Sequence, residues 1–218
     1  MASPLIYALD PVCWSREELS FEPDPWQAEV LRCPGPRQML NCSRQSGKST
    51  TAGLLALHRA IFYPASLVLL VSPSLRQSGE LFRKVTEHLH QLEKPPRLLE
   101  DNKLSLTLAN RSRVVSLPGT EGTIRGYSGA SLIIEDEASR VPDALYYSIR
   151  PMLAVSGGRL ILMSTPFGRR GHFFAEWTEG GTWDRTEIPA TKCPRISEEF
   201  LREERKSLGD FWFSQDWQ

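Results

Sequence analysis

The stretch "LNCSRQSGKSTTAG", residues 40–53, decides how the rest of the chain is read. It closes on Gly47-Lys48-Ser49 and runs into residues that favour helix. A phosphate-binding loop ends this way. It has a strand, a turn whose backbone N–H groups face the phosphates, and a helix whose N-terminal dipole faces them too. The lysine adds a point charge on the β- and γ-oxygens, and the next hydroxyl ligates Mg2+. The glycine expected at the start of such a loop is missing: Cys42 stands there, and Arg44 lies inside the loop. Gly-Lys-Ser alone also arises by chance as a helix entry with a surface lysine, so the remaining chain must decide.

The context fits. Residues 38–42 are a short apolar run, Ser43 to Gly47 form the loop, and Lys48 and Ser49 open a helix that Pro64 stops. "SLVLLVSPS" and "GRLILMSTP" are continuous apolar runs, as in strands buried on both faces of a parallel sheet. "RQSGELFRKVTEHLHQLE", "PDALYYSIRPML", "RRGHFFAEWTEG" and "SEEFLREERKSLG" read as helices, the last with Ser197 as N-cap. "EPDPWQAEVLR" starts another, with Asp24 as N-cap and Pro25 first in the helix. "KLSLTLANRSRVVSL" alternates on both sides of Asn110-Arg111 and reads as a hairpin, and "TWDRTEIPA" as a last strand. "MASPLIYALDPVCW" shows no period and is expected to be an irregular arm over residues 1–22. Strands alternating with helices predict an α/β fold with a doubly wound, mainly parallel sheet. The core is expected over residues 23–195. Residues 196–218 should form a helix and a tail, "DFWFSQDWQ", with no strong closing element.

A nucleotide hydrolase of this kind needs a second strand ending beside the loop. "LIIEDEAS" supplies one: Leu132-Ile133-Ile134, then Glu135, Asp136 and Glu137. Three carboxylates at a buried strand end are costly unless a cation sits among them. The reading taken is Asp136 on Mg2+ and Glu137 as the group that polarises water. The other frame, with Glu135 on the metal and Asp136 as base, stays open. A solvated acidic turn would explain the acids but not the apolar run before them.

Composition bounds the rest. The chain has 218 residues, enough for one α/β domain, and 26 basic against 26 acidic side chains, so net charge gives no sign of a nucleic-acid partner. Cys13, Cys33, Cys42 and Cys193 form no C-x-x-C pair, which argues against zinc and for reduced, intracellular thiols. The longest apolar run, residues 67–71, is far too short to span a membrane. His58, His88, His90 and His172 are scattered and receive no role.

Four segments in order resemble the ATPase domain of large terminase subunits of tailed bacteriophages: "PDPWQAEVL", "CSRQSGKST", "IIEDEAS" and "LMSTPFG". The resemblance covers residues 23–171. It implies the P-loop NTPase fold of the RecA-like (ASCE) type. It also implies an Mg-ATP hydrolase that drives double-stranded DNA into a procapsid in the host cytoplasm. In this family the first loop glycine is commonly replaced and the arginine is expected, which accounts for Cys42 and Arg44. On this basis Gln27 holds adenine through both ends of its amide. Ser43, Arg44, Gln45, Ser46, Gly47, Lys48, Ser49 and Thr50 hold the triphosphate. Ser49 and Asp136 hold Mg2+, Glu137 activates water, and Thr165 senses the γ-phosphate. Lys48 and Arg44 act on the phosphates, and Arg125, in "GTIRGYSG", completes a neighbour's site. Implied partners are a homo-oligomeric ring, the portal ring and the small terminase subunit. Arg83-Lys84 and Arg169-Arg170 are candidate contacts to DNA phosphates, though such pairs are usually solvated surface. Glu135 departs from the family, which usually has an apolar residue there. The family's C-terminal nuclease domain is expected to lie outside this chain. Two other readings remain: a helicase-type ATPase, and a nucleotide-binding assembly module without turnover.

Overall fold

The structure, a computed structural model, describes residues 3–118 and 126–217. One mixed sheet organises it. Its strands in chain order are β1 (Arg37–Cys42), β2 (Leu67–Ser72), β3 (Leu98–Asn102), β4 (Ser105–Leu108), β5 (Arg113–Pro118), β6 (Leu132–Asp136), β7 (Arg159–Ser164) and β8 (Asp184–Ile188). In space they run β3-β4-β5-β2-β6-β7-β1-β8. From β5 to β8 every neighbour is parallel, while β3, β4 and β5 pair antiparallel at one edge. The predicted fold class holds. β7 lies between the loop strand β1 and the acidic strand β6, so the ends of all three meet at one edge of the sheet.

Helices cover both faces. On one lie α3 (Pro25–Arg32), α4 (Lys48–Phe62) and α5 (Leu75–Gln91); on the other lie α6 (Asp143–Ile149) and α7 (Gly171–Thr178). Strand alternation sorts the core between them. Leu132, Ile134, Ile161 and Met163 pack toward α4, whereas Ile133, Leu160 and Leu162 pack with Leu145, Tyr146 and Phe173. The interior strands are apolar on both faces, which is why their sequences read as unbroken runs.

The hairpin turns where the alternation breaks, at Asn110-Arg111, with Arg111 at φ 67°. The Asn110 amide donates to the carbonyls of Ala60 and Ile61 at 2.8 and 3.0 Å, tying the turn to the end of α4. β3 extends the hairpin by one strand that the sequence reading lacked.

Two expectations fail. The first residues are not an irregular arm but two short helices, α1 (Pro4–Leu9) and α2 (Pro11–Leu19). Each opens on proline, and the Asp10 carboxylate accepts a hydrogen bond from the Val12 N–H at 2.9 Å as cap of the second. Six and nine residues are too few to display a helical period. Trp14 is buried edge-on against His58 and Phe62 of α4. The tail is not open either: α8 (Glu198–Trp217) breaks at Gly209 (φ 74°), and Phe213 and Trp217 return onto Leu201 and Ala190. A sequence reading sees the glycine as an end, and cannot see that the chain folds back across it.

Trp14→Ala should therefore destabilise the whole domain, by about 3–5 kcal/mol as for other buried aromatics. Denaturant unfolding checks this, and a change within a few tenths would mean the N-terminal helices are not part of the core.

Candidate functional site

β1 delivers the chain into the loop, and the Ser43 N–H donates to the Ile188 carbonyl at 2.9 Å. The loop then turns through two left-handed residues, Gln45 (φ 58°) and Gly47 (φ 95°), before α4 begins at Lys48. The φ of 95° is what favours glycine at Gly47; a Cβ there would meet only the movable ends of the Gln27 and Arg195 side chains. Cys42, fully buried, fills the place of the first glycine, and burial pushes its thiol up to about 12. It is an apolar filler rather than a reactive group.

Facing the loop across the end of β7 are the acids. Glu137 (φ 52°) sits just past β6. Its two oxygens lie 3.2 Å from the Lys48 ammonium and 3.4 Å from the Thr165 hydroxyl, which donates to it. Arg140 Nε is 3.6 Å from the same carboxylate. Asp136 accepts the Glu137 N–H at 2.9 Å and is 7 % exposed. Burial raises the Asp136 carboxyl to about 6, against the pull of Lys48, with the Glu137 charge adding to the rise. Ser139 ties the two strand ends together, its hydroxyl 2.6 Å from that of Ser164 and donating to the Thr165 carbonyl at 3.1 Å.

Above these groups opens a cleft of about 640 Å3 lined by Arg44, Gln45, Ser46, Gly47, Lys48, Ser49 and Thr50 on one side and by Glu137, Arg140 and Thr165 on the other. Gln77 and Lys84 of α5 complete the rim. A larger cavity of about 830 Å3 lies between α5 and the β3–β4 turn, but it has no loop of backbone donors and mixes Arg76 and Lys103 with Glu80 and Asp101.

Not every predicted residue enters this cleft. The Ser43 hydroxyl is buried toward Cys193 Sγ at 3.9 Å and its N–H is already given to Ile188, so this residue presents no donor to an anionic ligand. Gln27 is 2 % exposed, and its amide is already engaged: Oε1 accepts the Asp24 N–H at 2.9 Å and Nε2 reaches the Gly47 carbonyl at 3.5 Å. In this arrangement it braces the loop from behind. Asp136 is nearly buried yet close enough to Lys48 to feel its charge, whereas Glu135 turns to the other side of the sheet, beside His172, away from the loop. Arg125 lies outside the described residues. Of the candidate DNA contacts, Arg83 is paired with Glu80 and Glu87, and Lys84 with Glu87.

Arg195, Arg140 and Gln77 were not picked out from the sequence. Arg195 pairs with Asp24 at 2.8 Å and donates to the Ser46 carbonyl at 2.7 Å, binding the segment before α8 to the loop. An arginine between two loops carries no local signal. Arg140 alone was findable, three residues past Glu137.

A lysine at a helix N-terminus thus stands opposite a glutamate at a parallel strand end. The family model "Terminase large subunit, T4likevirus-type, N-terminal" matches residues 39–212. The chain belongs to this family of terminase large subunits. It is 30 % identical over 171 residues to the large terminase subunit of Thermus virus P23-45, covering 70 % of this chain and 35 % of that one. This terminase chain thus spans about a third of the length of the curated relatives it matches. Its fold is similar to the large terminase ATPase domain of Thermus phage P74-26 (TM-score 0.83, 21 % identity, 96 % of this chain and 98 % of that one). It is also similar to the large terminase of a thermophilic bacteriophage in complex with ATP-gamma-S (TM-score 0.64, 13 % identity, 95 % of this chain and 50 % of that one).

The residues of this terminase chain fit Mg-nucleotide. A buried carboxyl raised by desolvation is what a cation relieves. Among the described residues no group of three or more His, Cys, Asp or Glu is gathered to cage a metal. Mg2+ suits such a place, since it takes one or two carboxylates plus phosphates and water.

Asp136 also predicts a pH effect. Its folded-state value, about 6 against 3.8, lies above the unfolded one, so the folded protein holds this proton longer. As pH rises from about 4 through about 6, ligand-free protein should lose roughly 3 kcal/mol from this group. Asp136→Asn lacks that penalty. Its melting temperature should exceed that of the wild type by a margin that grows with pH; a margin independent of pH would assign the burial cost elsewhere.

Proposed function

We propose that this chain is the ATP-hydrolysing motor unit of a viral DNA-packaging terminase. The observation that carries the reading is the Lys48–Glu137 contact across the mouth of the loop, 3.2 Å long, with the Thr165 hydroxyl on the same carboxylate. A cation placed for phosphate stands within reach of a carboxylate placed for water.

The loop backbone with Arg44 and Lys48 would bind the triphosphate, and the Ser49 hydroxyl with Asp136 would hold Mg2+. Bound Mg2+ supplies charge neutralisation on the β- and γ-oxygens. With Lys48 on the phosphates, the Glu137 oxygen it faced would be left to orient water and accept its proton, the other oxygen staying with Thr165 and Arg140. Thr165, shared between Glu137 and the end of β7, reports the change to the segment that follows. The thermophilic-phage terminase in complex with ATP-gamma-S supports nucleotide in a cleft of this fold. The partners proposed with this reading are double-stranded DNA, a ring of copies of this chain, the portal ring and the small subunit, in the host cytoplasm. Among the described residues no helix is long and apolar enough to cross a membrane.

Lys48→Ala should abolish ATP hydrolysis, and Glu137→Gln should keep ATP binding while stopping turnover, because an amide fills the space but is no base. A steady-state ATPase assay with a nucleotide-binding measurement on the same preparations checks both; near-normal turnover by either variant would remove its assignment.

Arg125 is proposed from its sequence position alone, in a glycine-flanked segment ahead of β6, as the arginine lent to a neighbouring copy. Such a group contributes about a thousandfold or more to turnover. Arg125→Ala and Lys48→Ala motors should each be inactive, and co-assembled mixtures should regain part of the activity. Mixtures as inactive as their parts would place the acting arginine within one subunit, at Arg44.

A further inference from the structure

Asp136 and Glu137 are committed to the nucleotide cleft in this reading, but Glu135 is not. Strand alternation turns it to the face covered by α6 and α7, where it is fully enclosed (0 % exposed). The imidazole of His172, also buried, meets it there, with Nε2 2.9 Å from Oε1. The approach is close but not a well-directed hydrogen bond: among the described residues neither Glu135 oxygen nor His172 Nε2 has a better partner than the other. On its other side His172 Nδ1 lies 3.2 Å from an Asp143 oxygen, which also accepts the His172 backbone N–H at 2.7 Å. Tyr146 stacks flat on the imidazole, 4.3 Å away and 10° from parallel. The Tyr146 hydroxyl is itself held by Glu176 at 2.7 Å.

As an aid to stability this arrangement is poor. Taking two ionisable groups out of water costs about as much as their attraction returns, and an apolar pair of like size commonly does as well or better. What a buried polar pair adds is a fixed partner and a fixed place. The place matters here. Glu135 is joined by one peptide bond to Asp136 and by two to Glu137. His172 opens α7, and the chain leading to it from β7 begins with Thr165-Pro166. On the cleft side, Glu137–Thr165 and Ser139–Ser164 already join these two strand ends. Glu135–His172 joins them again from beneath the sheet.

We propose that Glu135 and His172 are a positioning pair. They lock the acidic end of β6 to the segment after β7, so that Asp136, Glu137 and Thr165 shift as one body when the cleft changes state. The kinetic consequence rests on the ATPase reading; the mechanical consequence does not.

The test is the apolar replacement Glu135→Met with His172→Phe, which keeps volume and the stack on Tyr146. The double variant should melt at or above the wild-type temperature and bind ATP within about twofold of it, while kcat falls about tenfold or more with KM little changed, as a misplaced base would produce. Hydrogen exchange, read without nucleotide, should rise about tenfold at residues 137–140 and 166–172 while the core strands stay protected. Glu135→Gln, which keeps shape and contact, should retain most of kcat and wild-type exchange. Wild-type kcat and exchange in the double variant would overturn the proposal and leave the pair as core filling. Wild-type protein that does not turn over ATP would sink the ATPase reading, and the exchange data alone would then decide for or against the pair. If the double variant does not fold, His172→Asn decides instead. It keeps a donor for Asp143 but cannot reach Glu135, and wild-type exchange there would equally overturn the proposal.

Discussion

Three consecutive carboxylates can end a buried strand only if each finds a different means of tolerating burial, and the alternation of β6 supplies the means. Glu135 goes to one face and an imidazole. Asp136 goes to the other, accepts a backbone N–H, and is pushed toward its neutral form by burial. Glu137 leaves the strand altogether through a left-handed turn and meets Lys48. The rest of the site is arranged around this partition. β7 must lie between β6 and β1, because Lys48 has to reach across a single strand to meet Glu137, and because Thr165 then falls where both can feel it. The parallel order of β6, β7 and β1 puts their C-terminal ends, and hence the acids, the Thr165 hydroxyl and the loop, at one edge.

The loop itself is held from behind. Its left-handed turns at Gln45 and Gly47 are conformations that the backbone alone would not keep. Gln27, from α3, reaches the Gly47 carbonyl, and Arg195, from the approach to α8, takes the Ser46 carbonyl while pairing with Asp24. The two ends of the sequence thus converge on the same few peptide groups. A change in how α8 lies would be felt directly by the loop through Arg195. The same contact explains why Gln27 is shielded: the Arg195–Asp24 pair sits at the start of the helix that carries it.

What was legible in the sequence is what depends on neighbours in sequence. The loop, the buried parallel strands and the acidic strand end each declare themselves within a few residues, because a strand covered on both faces must be apolar throughout and a phosphate loop must turn tightly into a helix. The hairpin announced itself through broken alternation at Asn110-Arg111. What was illegible depends on partners far along the chain. His172 looked idle because the carboxylate it meets is thirty-seven positions upstream (172 less 135) and on another strand. Glu135 looked like a misplaced ligand because the composition of "EDE" does not say which acid faces which side. Gln27 was recognisable as a glutamine that matters, but its amide is turned to the loop. The N-terminal helices were too short to show a period, although Trp14 and Val12 lie in the core.

The charge pattern of the cleft has a consequence for when hydrolysis can begin. Lys48 and Arg140 both stand near Glu137, so the carboxylate proposed as base faces the cation proposed to bind phosphate. Both groups are largely enclosed, at 12 % and 18 % side-chain exposure, so neither gains much by turning to water instead. Attraction at that degree of burial exceeds that of a surface pair, and only a competing anion of higher charge offers Lys48 a better position. A triphosphate is such an anion. Entry of the substrate would release the base, and departure of the phosphate would silence it again. The same logic makes Thr165 the natural place for the signal to leave the cleft, since it is bonded to the one carboxylate whose partner changes.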